Sequence, residues 1–252
     1  MGPHEVNGFF DALSLLTRLR TRGGRDTARA IPWMPVVGAL IGLACGLVYW
    51  AARAALTPLI SASLAITASI LLTGALHEDG LADVADAFGA RVEPARALEI
   101  MHDPYHGTYG ILALILSVVT RVVAVAAMRP STAVVSLAVA HALARAGAVG
   151  LMTGMPPAHG STLAASYKSP EIRRGVFAGI VFALALAVAT LGLWAFAAAA
   201  IVLGAVAVTG LLARQKIGGF TGDVLGATEQ LAEIGILLLV ASAGAAVPWW
   251  RA

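Results

Sequence analysis

The sequence contains little charge. Only 12% of its 252 residues are Asp, Glu, Lys or Arg, and 59% are hydrophobic, whereas soluble domains have roughly 25% charged residues. This composition excludes an ordinary soluble enzyme and a disordered tail. The net charge of +3 is too small for the basic surface of a nucleic-acid-binding domain. We therefore expect a membrane protein with no nucleic-acid partner.

Cysteine is nearly absent. The one cysteine, Cys45, lies within an apolar run. A single thiol excludes a disulfide within the chain and a zinc site built on paired cysteines, and we interpret Cys45 as a small buried apolar residue. We also expect no cleavable signal peptide, because the first apolar stretch is interrupted by Asp11 and followed by arginines.

Long apolar runs make up most of the chain. Since about 20 residues cross the hydrocarbon layer, the runs predict an all-α, polytopic helical integral membrane protein with about seven transmembrane helices, six to eight being compatible. We expect one membrane-embedded domain over residues 1–252. The run 176–212 is too long for one span, so we divide it near Gly192. The predicted spans are 32–55, 60–77, 108–128, 131–152, the two halves of 176–212, and 230–248.

Residues 4–20 place apolar side chains at helical spacing with polar residues between them. This pattern predicts an amphipathic helix on the membrane surface. The segment 1–30 is basic and is expected to be cytoplasmic. With that orientation, the inside segments hold twelve of the 17 Lys and Arg residues, which agrees with the positive-inside rule. These segments are 1–31, 78–107, 153–175 and 213–229.

Three carboxylates share one face of a predicted helix end. Asp79, Asp83 and Asp86 are spaced i, i+4 and i+7, which puts them within about 60° of one another. Such charge near a membrane needs compensation, and hard oxygen ligands favour Mg²⁺ or Mn²⁺. Glu78 points about 100° away and is a weaker candidate ligand. The alternatives are a solvated acidic helix end and the ion-coupling site of a transporter.

Two further polar segments adjoin predicted spans. His102, Asp103 and His106 lie in a turn-rich junction before the third span. They could ligate a metal, move a proton or hold a phosphate, and the alternative is a plain loop with an Asp-Pro turn. The segment 218–229 contains Gly219, Thr221, Gly222 and Asp223. Its glycines permit close approach of backbone amides to a phosphate, and the alternative is a flexible helix connection.

Basic residues occur in two unusual places. Arg121 and Arg145 lie inside apolar runs, where an arginine is a functional candidate. Arg145 could pair with the acidic cluster or with a substrate phosphate, and Arg121 also fits a structural ion pair. Lys168, Arg173 and Arg174 lie in the loop 153–175. They are candidates for phosphate contacts, or a consequence of the positive-inside bias.

Together these segments resemble the adenosylcobinamide-GDP ribazoletransferase, or cobalamin synthase, family. The resemblance covers most of the chain, because four motifs occur in the right order. They are His77-x-Asp79-Gly80-Leu81-Ala82-Asp83-x-x-Asp86, Arg96-Ala97-Leu98-Glu99-Ile100-Met101-x-Asp103, Gly107-Thr108-Tyr109-Gly110, and Gly218-Gly219-x-Thr221-Gly222-Asp223-x-Leu225-Gly226-Ala227. Two departures from the family pattern are Glu78, where an apolar residue is usual, and the pair Pro104-Tyr105, where a Ser-Arg-like pair is usual.

The resemblance implies an Mg²⁺-dependent phosphotransferase of cobalamin biosynthesis in the bacterial inner membrane, with its site facing the cytoplasm. Its substrates would be adenosylcobinamide-GDP and alpha-ribazole or alpha-ribazole-5′-phosphate, and GMP would leave. Mn²⁺ is a conceivable substitute metal. Self-association and contact with other late enzymes of the pathway remain open.

Each candidate residue then has an expected role. The expected metal ligands are Asp79, Asp83, Asp86, Asp223 and Glu78. The expected catalytic residues, among which the general base stays open, are Asp86, Asp103 and His102. The expected substrate-binding residues are Arg145, Lys168, Thr221, Gly222 and Gly219.

Two rival functions fit the composition. A membrane phosphotransferase acting on CDP-activated lipid donors also uses helix-borne aspartates, but its signature spaces them farther apart and adds an Ala-Arg pair. An ion-coupled transporter predicts internal repeats and carboxylates near the membrane midplane. The depth of Asp79, Asp83 and Asp223 distinguishes the two: the enzyme predicts them together at the cytoplasmic boundary, and the transporter predicts them at mid-bilayer.

Overall fold

The computed structural model describes residues 3–21, 26–158 and 170–244. In these ranges the protein is all-α, with one isolated β-bridge between Pro157 and Phe220 and no strand. The elements, in chain order, are α1 (Pro3–Leu16), α2 (Thr27–Ala30), a 3-10 turn (Ile31–Trp33), α3 (Met34–Ala52), α4 (Pro58–Thr73), α5 (Leu76–Gly89), α6 (Pro94–Met101), α7 (Thr108–Ala126), α8 (Pro130–Gly154), α9 (Pro170–Leu191), α10 (Trp194–Ile217) and α11 (Gly222–Ala243).

Within the described ranges, six helices are long and apolar enough to cross a membrane: the continuous stretch Thr27–Ala52, and α7 through α11. The pair α4 and α5 would make a seventh crossing if it is counted as one span, although it is bent by 88°. The predicted polytopic all-α fold is therefore confirmed. The predicted division of 176–212 is confirmed as well, because α9 ends at Leu191 and Gly192 has φ 58°.

Two predicted spans have different bounds in the structure. The span predicted at 60–77 stops at Thr73, because Gly74 and Ala75 adopt left-handed backbone angles with φ 67° and 59°, and α5 lies outside the six spans. The span predicted at 230–248 begins at Gly222 as α11. Its first turn is capped by the Thr221 hydroxyl, which accepts a hydrogen bond from the Val224 amide at 3.3 Å.

The centre of the bundle is built from α3, α8 and α11. Three glycines of α3, spaced four residues apart, face α8 so closely that a Cβ atom on Gly46 would lie 2.5 Å from the Cα atom of Val134. Small residues at this spacing allow helix backbones to touch in membranes. Most of α8 is buried, whereas α9 and α10 expose large apolar side chains such as Phe177 and Phe196, as expected for helices that face lipid.

The predicted N-terminal helix is present as α1, but its apolar residues pack against the protein. Ala12 and Leu16 are buried in the core, and the Phe9 ring meets the Trp33 ring edge-on with centroids 5.8 Å apart. The buried Asp11 carboxylate lies 3.4 Å from Arg29. The apolar side of the amphipathic helix therefore packs on the 3-10 turn, and its position at the membrane surface stays a prediction.

Several polar connections meet at one end of the bundle. Lys216 at the end of α10 donates to the Ala90 carbonyl at 3.3 Å. The segments following α8 and preceding α11 pair through Ala158 and Phe220 at 2.9 Å. Asp86 of α5 accepts a hydrogen bond from the Gly107 amide, just before α7. This end of the bundle therefore collects the ends of α5, α8 and α10 and the beginnings of α7 and α11.

Candidate active site

Helix α5 lies directly on the beginning of α11. A Cβ atom on Gly80 would lie 2.8 Å from the Asp223 carbonyl oxygen, and one on Gly226 would lie 3.3 Å from the Cα atom of His77. Real side chains do not tolerate the first of these distances. Glycine at position 80 therefore lets the two backbones touch, and this contact brings Asp223 beside the acidic face of α5.

Asp79 and Asp83 share a histidine. The Nε2 atom of His106 lies 3.6 Å from Asp79 Oδ1, and its Nδ1 atom lies 3.5 Å from Asp83 Oδ1. The Asp79 side chain is 65% exposed and the Asp83 side chain only 10%. One carboxylate is therefore open to an incoming ligand, and the other lies deeper.

The electrostatics of this cluster favour a cation. Burial, followed by the neighbouring carboxylates of Asp79 and Asp223, raises the pKa of Asp83 to about 7. A divalent ion would relieve this repulsion, and the three side chains supply the hard oxygen donors that Mg²⁺ prefers. His102, at the end of α6, also lies close enough to Asp223 to act on its carboxyl electrostatically.

Asp86, predicted as a ligand and as a catalytic group, holds the beginning of α7. Its Oδ2 atom accepts from the Gly107 amide at 2.6 Å, and its Oδ1 atom accepts from the Gly110 amide at 2.9 Å. A Cβ atom on Gly107 would lie 2.7 Å from the same carboxylate, so this close approach requires glycine. We therefore assign Asp86 a positioning role.

Asp103, also predicted as catalytic, is exposed and closes its own loop. Its Oδ1 atom accepts a hydrogen bond from the Tyr105 amide at 3.0 Å. This is the local turn that an Asp-Pro pair favours. In this conformation Asp103 is turned toward its own loop, while His106 contacts the acidic pair.

The glycine-rich segment has a mixed role. Thr221 caps α11 and donates to Asp223 Oδ2 at 3.3 Å, and Gly222 is exposed with open space around it. Gly219 is buried, and a Cβ atom there would lie 2.5 Å from the Pro156 carbonyl oxygen. Gly219 therefore secures the contact between two loops, which is a reason for glycine other than the predicted phosphate contact.

A network of ion pairs lies buried beneath the cluster. Arg121 of α7 donates to Glu78 Oε1 at 2.9 Å and to Glu233 Oε1 at 3.4 Å. Arg145 of α8 donates to Glu229 Oε1 at 2.6 Å. All five side chains are almost completely inaccessible to solvent. Three carboxylates thus face two guanidinium groups in the interior of the bundle.

This network changes the assignment of two predicted site residues. Glu78 is not brought to the aspartates, because its carboxylate is paired with Arg121 on the other side of α5. Arg145 is 2% exposed, so the guanidinium predicted to contact a phosphate is paired with Glu229 instead. Lys168 lies outside the described residues.

Within the described ranges, one group of three potential metal-ligating residues has its ligand atoms within 4.8 Å of one another: His141, Glu229 and Glu233. The Nη1 atom of Arg145 already lies 2.9 Å from His141 Nδ1 and 2.6 Å from Glu229 Oε1. The guanidinium therefore supplies the positive charge there, and a metal ion at that position would be repelled.

Two features of the site have only weak signals in the sequence. His106 is one of several polar residues in its loop, and only its position before Gly107 distinguishes it. Glu229 and Glu233 are spaced i, i+4 and could have been paired with the intramembrane residues Arg121 and Arg145 from charge balance alone.

Comparison with known proteins supports the resemblance. The profile of the family "Cobalamin-5-phosphate synthase" matches residues 8–241. A protein of Bradyrhizobium diazoefficiens named adenosylcobinamide-GDP ribazoletransferase is 46% identical over 221 residues, covering 85% of this chain and 84% of its own. A protein of Shewanella frigidimarina with the same name is 34% identical and covers 95% and 96% of the two chains.

A third relative of that name, from Azorhizobium caulinodans, is 40% identical and covers 84% of each chain. No solved structure matches. The chain belongs to the cobalamin-5-phosphate synthase family and is a transferase enzyme of the adenosylcobinamide-GDP ribazoletransferase type.

Proposed function

We propose that this chain transfers the adenosylcobinamide-phosphate part of adenosylcobinamide-GDP to alpha-ribazole or alpha-ribazole-5′-phosphate, with release of GMP and with a requirement for Mg²⁺. The observation that carries this proposal is that His106 lies 3.6 Å from Asp79 and 3.5 Å from Asp83, while the close approach at Gly80 brings the beginning of α11, with Asp223, against the same helix. Such a cluster suits a diphosphate substrate, because phosphoryl transfer depends mainly on positioning and charge compensation.

Asp79, Asp83 and Asp223 are the residues that would hold Mg²⁺. When bound, the ion screens the negative charge of the diphosphate, which otherwise repels an oxygen nucleophile. Glu78 is omitted from this set because it pairs with Arg121 at 2.9 Å. Asp86 is omitted because both of its oxygens accept backbone hydrogen bonds.

In the proposed reaction, a ribose hydroxyl oxygen attacks the phosphorus attached to the aminopropanol arm. The bond between this phosphorus and the oxygen of GMP breaks, and the hydroxyl proton must leave. His106 is our first candidate to take that proton, because its ring contacts both Asp79 and Asp83. His102, near Asp223, is the second.

Other residues bind or orient. Asp86 fixes the beginning of α7, and His106 lies on the segment just before this helix. Thr221 orients Asp223 through its hydrogen bond of 3.3 Å, and Gly222 leaves open space beside it for a substrate group. Lys168 remains a proposed phosphate contact.

We place the site at the cytoplasmic face of a bacterial inner membrane. The distribution of Lys and Arg along the sequence supports this orientation. A water-soluble nucleotide conjugate would reach such a site without crossing the bilayer. Asp79 and Asp223 lie in the first turns of α5 and α11, and Asp83 lies one turn further along α5, which is not one of the six long apolar helices. This placement weighs against an ion-coupled transporter.

The test is GMP release and cobalamin formation by the purified full chain in nanodiscs, with adenosylcobinamide-GDP, alpha-ribazole-5′-phosphate and Mg²⁺. The Asp83→Asn variant is compared with Glu99→Gln, an equal change at an exposed carboxylate that pairs with Arg96. We expect Asp83→Asn to lose more than about 100-fold in rate, since even outer-shell changes at metal sites cost 10–100-fold. Glu99→Gln should stay close to wild type.

Two results would overturn the proposal. One is an absence of GMP from protein shown to be folded, and release of CMP from CDP-activated lipid donors would then identify the rival reaction. The other is full activity in EDTA, which would remove the metal from the proposal.

A further inference from the structure

A cavity of about 200 Å³ lies beside the candidate active site, between α1, α3, α5, α8 and α11. Its wall is mostly apolar and includes Leu15, Leu16, Met34, Val149 and Met152. An apolar cavity of roughly 150 Å³ admits a benzene ring. This one therefore has room for a larger aromatic group, although it is too small for a corrin ring or a whole nucleotide.

One wall of the cavity is polar and basic. Arg145 contributes to the lining, and its Nε and Nη2 atoms have no hydrogen-bond partner among the described residues. The side chain is only 2% exposed, so water does not readily satisfy these donors. Buried unpartnered donors are unfavourable, and a ligand with one acceptor atom next to Arg145 would supply the missing partner.

The surrounding charge selects a neutral ligand. Arg145 already pairs with Glu229, and Arg121 pairs with Glu78 and Glu233. An anionic headgroup would add negative charge to a buried group of three carboxylates and two guanidinium ions. A neutral aromatic ring with an acceptor nitrogen would not.

The cavity adjoins the proposed catalytic residues. Gly222, which lines it, is bonded to Asp223. On α5 the lining residue is His77, which is two residues from Asp79 and therefore lies on the opposite side of the helix. The cavity approaches the aspartate cluster from the Asp223 side, and a ligand held in it would keep its remaining part beside Asp223.

We infer that this cavity binds the base of the acceptor nucleoside, a methylated benzimidazole whose free ring nitrogen accepts a hydrogen bond from Arg145. The inference rests on the proposed function, because it assigns the acceptor to one side of the same site. The two fused rings and methyl groups contact the leucine and methionine side chains. The ribose then extends toward Asp223, where its hydroxyl meets the donor phosphate.

The test fills the cavity and measures both substrates separately. Ala148, which lines the cavity and is 9% exposed, is changed to leucine. We expect Ala148→Leu to raise the KM for alpha-ribazole-5′-phosphate by at least about tenfold, since it excludes several buried methyl-sized groups. The KM for adenosylcobinamide-GDP should change little. Ala200→Leu, the same change on the exposed side of α10, is the control.

A second measurement needs no turnover. Free dimethylbenzimidazole, which lacks the attacking hydroxyl, should raise the unfolding temperature of the wild-type protein but not that of Ala148→Leu. It should also inhibit in competition with the acceptor and not with the donor. Leu225→Ala removes part of the cavity lining and should also weaken the binding of dimethylbenzimidazole. This second variant keeps the inference testable if Ala148→Leu does not fold.

The outcomes separate the two proposals. Base binding without any GMP release would overturn the proposed function and support the cavity assignment. Normal GMP release with unchanged acceptor KM in a folded Ala148→Leu protein would overturn the cavity assignment alone. Recovery of a tightly bound lipid from the wild type, absent from Ala148→Leu, would also overturn it.

Discussion

Replacing Gly80 by alanine tests whether the contact between α5 and α11 sets the geometry of the site. The added Cβ atom would lie 2.8 Å from the Asp223 carbonyl oxygen and 2.9 Å from its Cα atom. Close carbon–oxygen contacts between helices lie near 3.3 Å, so the helices must separate by about 0.5 Å or more. Both neighbouring atoms belong to the backbone, so a side-chain rotation cannot relieve the contact.

The expected effect on stability is moderate and the effect on catalysis is larger. Overpacking of this kind lowers the free energy of unfolding by about 1–3 kcal/mol. Part of this loss is offset, because alanine is more favourable than glycine in a helix by up to about 1 kcal/mol. Catalytic groups tolerate displacements of about 0.5 Å, and a displacement of about 1 Å can cost 100-fold. We expect Gly80→Ala to lower kcat/KM by about 10- to 100-fold in a protein that still folds.

The assay measures GMP release, and thermal unfolding is followed separately through the cysteine of the protein. Cys45 is buried and is the only cysteine, so a thiol-reactive dye reports unfolding on heating. The control is Gly204→Ala on α10, where a Cβ atom meets nothing within 4 Å. Wild-type kcat/KM in Gly80→Ala would refute the reasoning, as would an equal loss in Gly204→Ala.

Three further changes test other parts of the structure. Arg121→Met should destabilise the protein by about 3–5 kcal/mol, because it leaves buried carboxylates unpaired. Adding Glu78→Gln should recover part of this loss, and equal unfolding temperatures of the single and double variants would contradict the pairing. Asp86→Ala should cost about 2 kcal/mol by removing two backbone hydrogen bonds at the start of α7, measured by denaturant unfolding. The third test measures stability against pH in EDTA. Because the pKa of Asp83 is raised to about 7, the native state binds more protons than the unfolded state between about pH 4 and 7. The stability of the wild type should therefore fall as pH rises through this window. Asp83→Asn should show a shallower slope, because the partly buried carboxyl of Asp223 also contributes to it and that contribution remains. The variant should melt higher than wild type at pH 8 by tryptophan fluorescence, and an unchanged slope would contradict the assignment.

Local patterns predicted much of the fold. Hydropathy located the spans and the break at Gly192, because a bilayer demands a fixed length of apolar residues from each helix. Helical spacing alone placed Asp79 and Asp83 on one face. These signals depend on residues a few positions apart, so a single sequence contains them.

Charge pairing within the membrane was harder to predict. Glu78 pairs with a residue 43 positions away and Arg145 with one 84 positions away. No periodic pattern connects residues so distant in the chain. The predicted last span begins at 230 and so leaves out Glu229, which the structure places within α11 and pairs with Arg145. This pairing is a tertiary property.

Composition, helical period and the order of the motifs can be read along the chain, so they predict an all-α membrane protein with an acidic helix face and a set of family motifs. Which polar residues share the site depends on tertiary packing. The backbone contact at Gly80 joins Asp223 to α5, and the left-handed turn at Gly74 and Ala75 directs α5 across the bundle. The same packing buries Glu78 and Arg145 in the interior, where each has an ion-pair partner. It leaves Asp79, Asp83 and His106 together at one end of the bundle.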